Sequence, residues 1–146
     1  FSELFSELLK TYGYSSAEIY GIKITKDNYL PFLDGFDLTL ESSASDNIRI
    51  IWAYSVAMLY MTHWYRTNHF GFLIFDEPQQ QRMKEISSEQ LYKSLSSIKI
   101  SNMQSIIATS EDKNLLSEKI KGIKCNVLEL SNKAIVPKDR WLYNNR

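Results

Sequence analysis

Cysteine is nearly missing from this chain of 146 residues: Cys125 stands alone, with no partner for an internal disulfide and no second thiol for a cysteine-based zinc site. A buried structural thiol in a reducing, cytoplasmic setting is the expectation that follows. An excess of charge of one sign is missing too, with Lys+Arg 17 against Asp+Glu 17. That excludes a highly charged tail and leaves no chain-wide electrostatic footprint for nucleic acid or an anionic membrane. There is no repeat, low-complexity tract or Gly/Ser linker, so the chain reads as one domain with enough residues for a core. Nor is there a run suited to a membrane. The longest apolar stretch, Ile50 to Tyr65, has 16 residues and includes Ser55, Thr62 and His63, whereas a span needs roughly 20 apolar residues. It reads instead as a central buried helix. The start at Phe1, without a basic n-region or a small-residue cleavage site, reads as an internal cut or a processed end, and secretion is not indicated.

What is present is an alternation of helical and strand patterns. Phe1, Leu4, Phe5, Leu8 and Leu9 recur at helical spacing on one face of a helix that stops near Gly13. Glu18 to Ile24 and Phe36 to Leu40 carry strand-type alternation, with Asp27, Asn28, Pro31, Asp34 and Gly35 punctuating the space between. A long helix from about Asp46 to Arg66 is apolar around most of its circumference and belongs inside a layered domain. Gly71 to Phe75 is a continuous apolar run of the kind found in central parallel strands. Ser87 to Gln90 has the spacing of a capping box ahead of Leu91, Leu95 and Ile98. Gln104 to Thr109 reads as a second buried strand, Ser110-Glu111-Asp112 as the start of another helix, and Asn126 to Leu130 as a third strand. The fold class is therefore α/β.

Two features could carry chemistry. The sequence GFLIFDEP, residues 71–78, places Asp76 and Glu77 directly after four apolar strand residues, which is the Walker B pattern. In phosphoryl transfer the first acid can hold Mg²⁺ through its waters, while the second orients and polarises the attacking water. Ahead of it, Ser42-Ser43-Ala44-Ser45-Asp46 is a small-residue turn opening the long helix. Successive backbone N–H groups and the positive helix end form an anion site there, although the same residues also serve as an ordinary N-cap. The remaining candidates are weaker. His63 and His69 lie six apart and make no zinc spacing with Cys125. Trp52, Tyr54, Tyr60, Trp64 and Tyr65 sit at helical spacing in an apolar segment and read as core. The lysines of the last third are largely offset by Glu111, Asp112, Glu118 and Glu129.

Taken in order, the turn, the Walker B strand and the segment Ser101-Asn102-Met103-Gln104-Ser105-Ile106-Ile107-Ala108-Thr109-Ser110 resemble the C-terminal lobe of an ABC-type ATPase head of the structural-maintenance-of-chromosomes (SMC) kind, in a bacterial SMC-like form. The resemblance covers about residues 1–130. It implies a P-loop NTPase-like lobe of parallel strands and flanking helices over residues 13–137. Residues 1–12 would be the end of a returning coiled-coil arm and 138–146 a tail. It also implies roles: Asp76 for Mg²⁺, Glu77 as the catalytic glutamate, and Ser43, Ala44, Ser45, Asp46 and Asn47 for ATP at the signature loop. Gln79 to Lys84 falls at the interface loop and Ser110 at the switch position. Ala44 and Ser45 replace the two signature glycines, which keeps the N–H donors, and Ser110 stands where many members carry histidine.

No Gly-x-x-x-x-Gly-Lys-Ser/Thr occurs, so the phosphate cradle must come from an upstream P-loop lobe. The implied assembly is a dimer of heads around ATP, acting on DNA in chromosome maintenance, repair or anti-phage defence, with an accessory subunit and no membrane partner. The chain alone should then be inactive. A non-catalytic dimerisation or interaction module that recruits a partner such as a nuclease is the competing expectation.

Overall fold

The computed structural model describes residues 1–79, 85–98 and 103–130. Part of the expected interface loop, residues 80–84, and the expected tail, 138–146, lie outside the described residues.

The first helix, α1 (Ser2–Thr11), follows the periodicity of its sequence and buries Phe5, Leu8 and Leu9. Its end is a full Schellman motif. Gly13 sits at φ 79, its N–H donates to Lys10 O at 3.1 Å, and the Tyr14 N–H donates to Leu9 O at 3.0 Å. Only glycine takes that backbone without strain.

A three-stranded antiparallel meander follows: β1 (Lys23–Ile24), β2 (Pro31–Leu33) and β3 (Phe36–Asp37). Asp34 and Gly35, both with positive φ (51 and 89), join β2 to β3 with Leu33 opposite Phe36. A two-residue hairpin of the primed type needs that backbone. The expected strand over Glu18 to Ile24 shrinks to two residues, and Pro31, expected in the connection, begins β2. The strand expected over Phe36 to Leu40 is cut short because Asp37 caps a short helix, α2 (Leu38–Glu41): its Oδ1 accepts from the Thr39 N–H at 2.9 Å and the Thr39 hydroxyl at 2.7 Å.

The long helix α3 (Ala44–Trp64) has 21 residues, about 31 Å at 1.5 Å per residue. It packs along α1, where Ala53, Val56 and Ala57 are wholly buried and the rings of Tyr12 and Trp52 meet edge to face at 5.9 Å. Each large apolar side chain buried here contributes on the order of 1.5–3 kcal/mol. The helix is apolar around most of its circumference but is not buried on every side as that implied. Ile51 and Met58, seven apart, are exposed on one stripe, while Asp46 and Arg49 are buried. Trp64 and Tyr65, read as core from their spacing, are exposed at its end.

The last part is a small parallel sheet. β4 (Phe72–Asp76) and β5 (Gln104–Ala108) pair in parallel with Phe72 opposite Gln104 and Asp76 opposite Ala108, and α4 (Glu85–Ser97) lies between them in sequence. α4 begins ahead of the expected capping box, so Ser87 and Ser88 are buried within the helix rather than capping it. The final helix, α5 (Lys113–Lys119), is capped by Asp112, whose Oδ1 accepts from the N–H groups of Asn114 and Leu115. Residues 126–130 form no strand: Val127, Leu128 and Leu130 are exposed and find no partner strand among the described residues. Cys125 is exposed too, against the expectation of a buried thiol. The architecture is thus mixed α/β, with a two-stranded parallel sheet, a small antiparallel meander and five helices among the described residues. No helix among them is long and apolar enough to cross a membrane.

Candidate functional site

The acid pair ends β4 on a strained residue. Phe75 is buried and anchors the strand, Asp76 emerges exposed, and Glu77 adopts φ 45, a left-handed conformation that costs a non-glycine residue on the order of 1–3 kcal/mol. The turn is fixed from the neighbouring strand: the Glu77 N–H donates to Ala108 O at 2.8 Å. Ser110, two residues past the end of β5, is exposed in the same carboxyl-end region. The carboxyl ends of β4 and β5 therefore lie side by side, with Asp76 opposite Ala108 and Ser110 two residues further along the chain. In parallel α/β sheets ligands bind outside the carboxyl ends of strands.

Behind this end lies a group of side chains that sequence spacing did not indicate. Lys119 is 4% exposed, pairs with Glu111 and donates to Gln79 Oε1 at 2.8 Å. Tyr92 of α4 donates to the second oxygen of Glu111 at 3.4 Å. Burial pushes the Tyr92 hydroxyl pKa well above its ordinary range, and the charge and hydrogen bond of Glu111 and the charge of Glu77 push it further, so it stays a donor.

The second cluster is the start of α3. Ser43 is its N-cap, with Oγ accepting from the Asp46 N–H at 3.2 Å and lying 3.2 Å from Ser45 Oγ. Ser43 and Ala44 are exposed at the helix end, where the first N–H groups lack intrahelical acceptors. A hydroxyl has one donor and two acceptor sites, so capping does not exhaust Ser43. Asp46 is placed differently from the expectation. Its carboxylate is buried, with Oδ1 taking Arg49 Nη1 at 2.5 Å and Oδ2 taking Ser16 Oγ at 2.6 Å and the Ser15 N–H at 3.1 Å. It faces the protein rather than a ligand. Asn47 donates to Ser42 O at 3.4 Å, and its buried Oδ1 has no partner among the described residues.

The two clusters are linked at one remove. Arg49 Nε and Nη2 both donate to Ser87 Oγ at 3.3 Å, tying the start of α3 to the first turn of α4, the helix that follows β4. The i, i+3 spacing of Asp46 and Arg49 could have pointed to their own ion pair, but nothing local in the sequence points to Ser87, 38 residues on.

Among the described residues no group of three His, Cys, Asp or Glu side chains could hold a metal ion. Mg²⁺ keeps most of its waters and takes one or two carboxylates together with substrate phosphates; of the two acids at this strand end, Asp76 is exposed and Glu77 is half-buried. No protein-family model matches the chain, and no curated protein does.

Proposed function

We propose that this chain is the signature-turn and Walker B lobe of an SMC-like, ABC-type ATPase head, P-loop NTPase-like in fold, coupling ATP binding and hydrolysis to dimerisation of heads and action on DNA. The observation that carries the reading is the pair Asp76-Glu77 at the carboxyl end of a parallel strand, with Glu77 held in a left-handed turn by the neighbouring strand. Asp76 would hold Mg²⁺, which would supply charge neutralisation at the phosphates. Glu77 takes the proton of the water that attacks the γ-phosphorus as the bond to the bridging oxygen of the leaving ADP breaks. Ser43 and the N–H groups of Ala44 and Ser45 offer donors to the γ-phosphate held on a second head.

The sheet supports the same reading. Phe72, Ile74 and Ile106 lie on one bare face, exposed by 39%, 61% and 42%. Parallel sheets are ordinarily covered on both faces, and the phosphate cradle that this chain lacks is carried by a strand and helix of the P-loop lobe. Seated on that face, such a lobe would complete both sheet and site. Ile74→Lys in the complete protein is therefore expected to leave the melting temperature of this lobe within about 2–4 °C, the range of a surface substitution, while abolishing its assembly with the P-loop lobe in a pull-down.

The direct test is ATP turnover and ATP-dependent dimerisation of the complete protein, or of this chain combined with its P-loop lobe. Turnover with an ATP-dependent dimer is expected. Absence of both ATP binding and turnover in the assembled protein would overturn the reading and favour a non-catalytic interaction module.

A further inference from the structure

Lys119 is the buried lysine among the described residues, and its place is unusual for a cation at the end of a seven-residue helix. Its ammonium bonds two different loops. Glu111 belongs to the chain leaving β5, next to Ser110, and Gln79 belongs to the chain leaving β4, two residues beyond Glu77. With the Glu77 N–H bonded to Ala108 O at the end of β5, the loop after β4 is held at two points, once by the neighbouring strand and once through Lys119. Tyr92 of α4 closes the group from behind through Glu111.

Burying an ammonium has a desolvation cost that a well-packed apolar side chain would avoid. A left-handed glutamate persists only where its surroundings over-determine it. On the amino side of Glu77 the strand itself does this. On the carboxyl side, Pro78 is buried and Gln79 is tied to Lys119.

We infer that Lys119 is a positioning residue: by holding Gln79 and Glu111 together it fixes the left-handed turn at Glu77 against the loop that carries Ser110. Its effect on turnover rests on the role proposed for Glu77, whereas the clamp itself does not. Misplacing a reacting group by about 1 Å costs on the order of 10²-fold in rate, so a clamp at this point is a direct control on hydrolysis.

Removing Lys119 would strand Glu111 and endanger folding, so the test uses Gln79. Gln79→Met keeps the volume, loses the bond and leaves the Lys119–Glu111 pair intact. Gln79→Glu offers a carboxylate to the same ammonium and serves as the rescue. In the complete protein, hydrogen–deuterium exchange across residues 76–79 and steady-state ATP turnover are measured for both variants, with Glu77→Gln as the control.

Gln79→Met is expected to speed exchange there about tenfold and to lower kcat by about tenfold or more with KM unchanged, part of the loss that misplacement brings. Gln79→Glu should restore both. Wild-type exchange in Gln79→Met overturns the clamp. Faster exchange with undiminished kcat, in a protein that Glu77→Gln inactivates, overturns the positioning role. Faster exchange in a protein whose turnover Glu77→Gln leaves untouched upholds the clamp and removes the proposed role of Glu77.

Discussion

Glu77→Gln is expected to lower ATP turnover of the assembled protein by at least about 100-fold, the loss typical of removing a general base, while leaving ATP binding in place. The amide keeps the size of the side chain and tolerates φ 45 no worse than the acid, and the N–H bond to Ala108 O is made by the backbone. What it loses is the capacity to accept a proton. On the proposed function, ATP that is bound but not cleaved would keep bridging two heads, so the variant should also form a longer-lived dimer. Size-exclusion chromatography with light scattering in the presence of ATP reads this directly. Asp76→Asn makes the comparison informative: losing the carboxylate proposed for Mg²⁺ should weaken nucleotide-dependent dimerisation instead of prolonging it. A Glu77→Gln protein that hydrolyses ATP at the wild-type rate would remove the catalytic role from this strand end.

The acid pair was legible because its signal is local: four apolar residues, two acids and Pro78 in one run. α1, the long course of α3, and the strands β4 and β5 were also legible from local apolar patterns, although both strands, read as buried, leave Phe72, Ile74 and Ile106 exposed. The meander was only half visible. Its strands have two or three residues each, too short for a period to show, and their existence depends on pairing across the Asp34-Gly35 turn. Asp37 decided where β3 ends by bonding its own backbone neighbour, a local choice that the alternation of Phe36 to Leu40 concealed. Ser87 had the right spacing for a cap but was recruited by Arg49, 38 residues earlier. Lys119 and Glu111 show the limit most clearly. Eight residues apart across a helix, they look like ordinary surface charges until the fold brings Gln79 onto the same ammonium.

The ion pair inside α3 carries the largest expected effect on stability. Asp46 is 1% exposed and Arg49 4%, and each has its charge satisfied inside the protein. Arg49→Met would leave the Asp46 carboxylate buried without its cation, at a cost of about 3–5 kcal/mol. Asp46→Leu should cost a similar amount by stranding the guanidinium. The double variant should recover most of the loss, because apolar residues of similar volume can replace a buried pair at little cost. The resulting cycle isolates a coupling of several kcal/mol.

Acid offers an independent check of the same pair. Burial alone would raise the Asp46 carboxyl, but the hydrogen bonds from Ser16, Arg49 and Ser15, with the Arg49 charge, outweigh it and hold the group below its ordinary value. A carboxyl with a lowered folded-state pKa contributes stability that is fully present above its unfolded value of about 3.9 and is lost as pH falls through the folded value. Urea midpoints measured from pH 7 down to pH 2 should therefore fall less steeply below about pH 4 in the double variant than in wild type. Equal slopes, or single variants costing under about 1 kcal/mol, would show that the pair is not what holds this end of α3. The same Ser16 hydroxyl that donates to Asp46 accepts from the Ser43 N–H at 2.9 Å. Loosening the pair thus loosens the cap that would meet the γ-phosphate, and Arg49→Met should weaken ATP-dependent dimerisation even at temperatures where it remains folded.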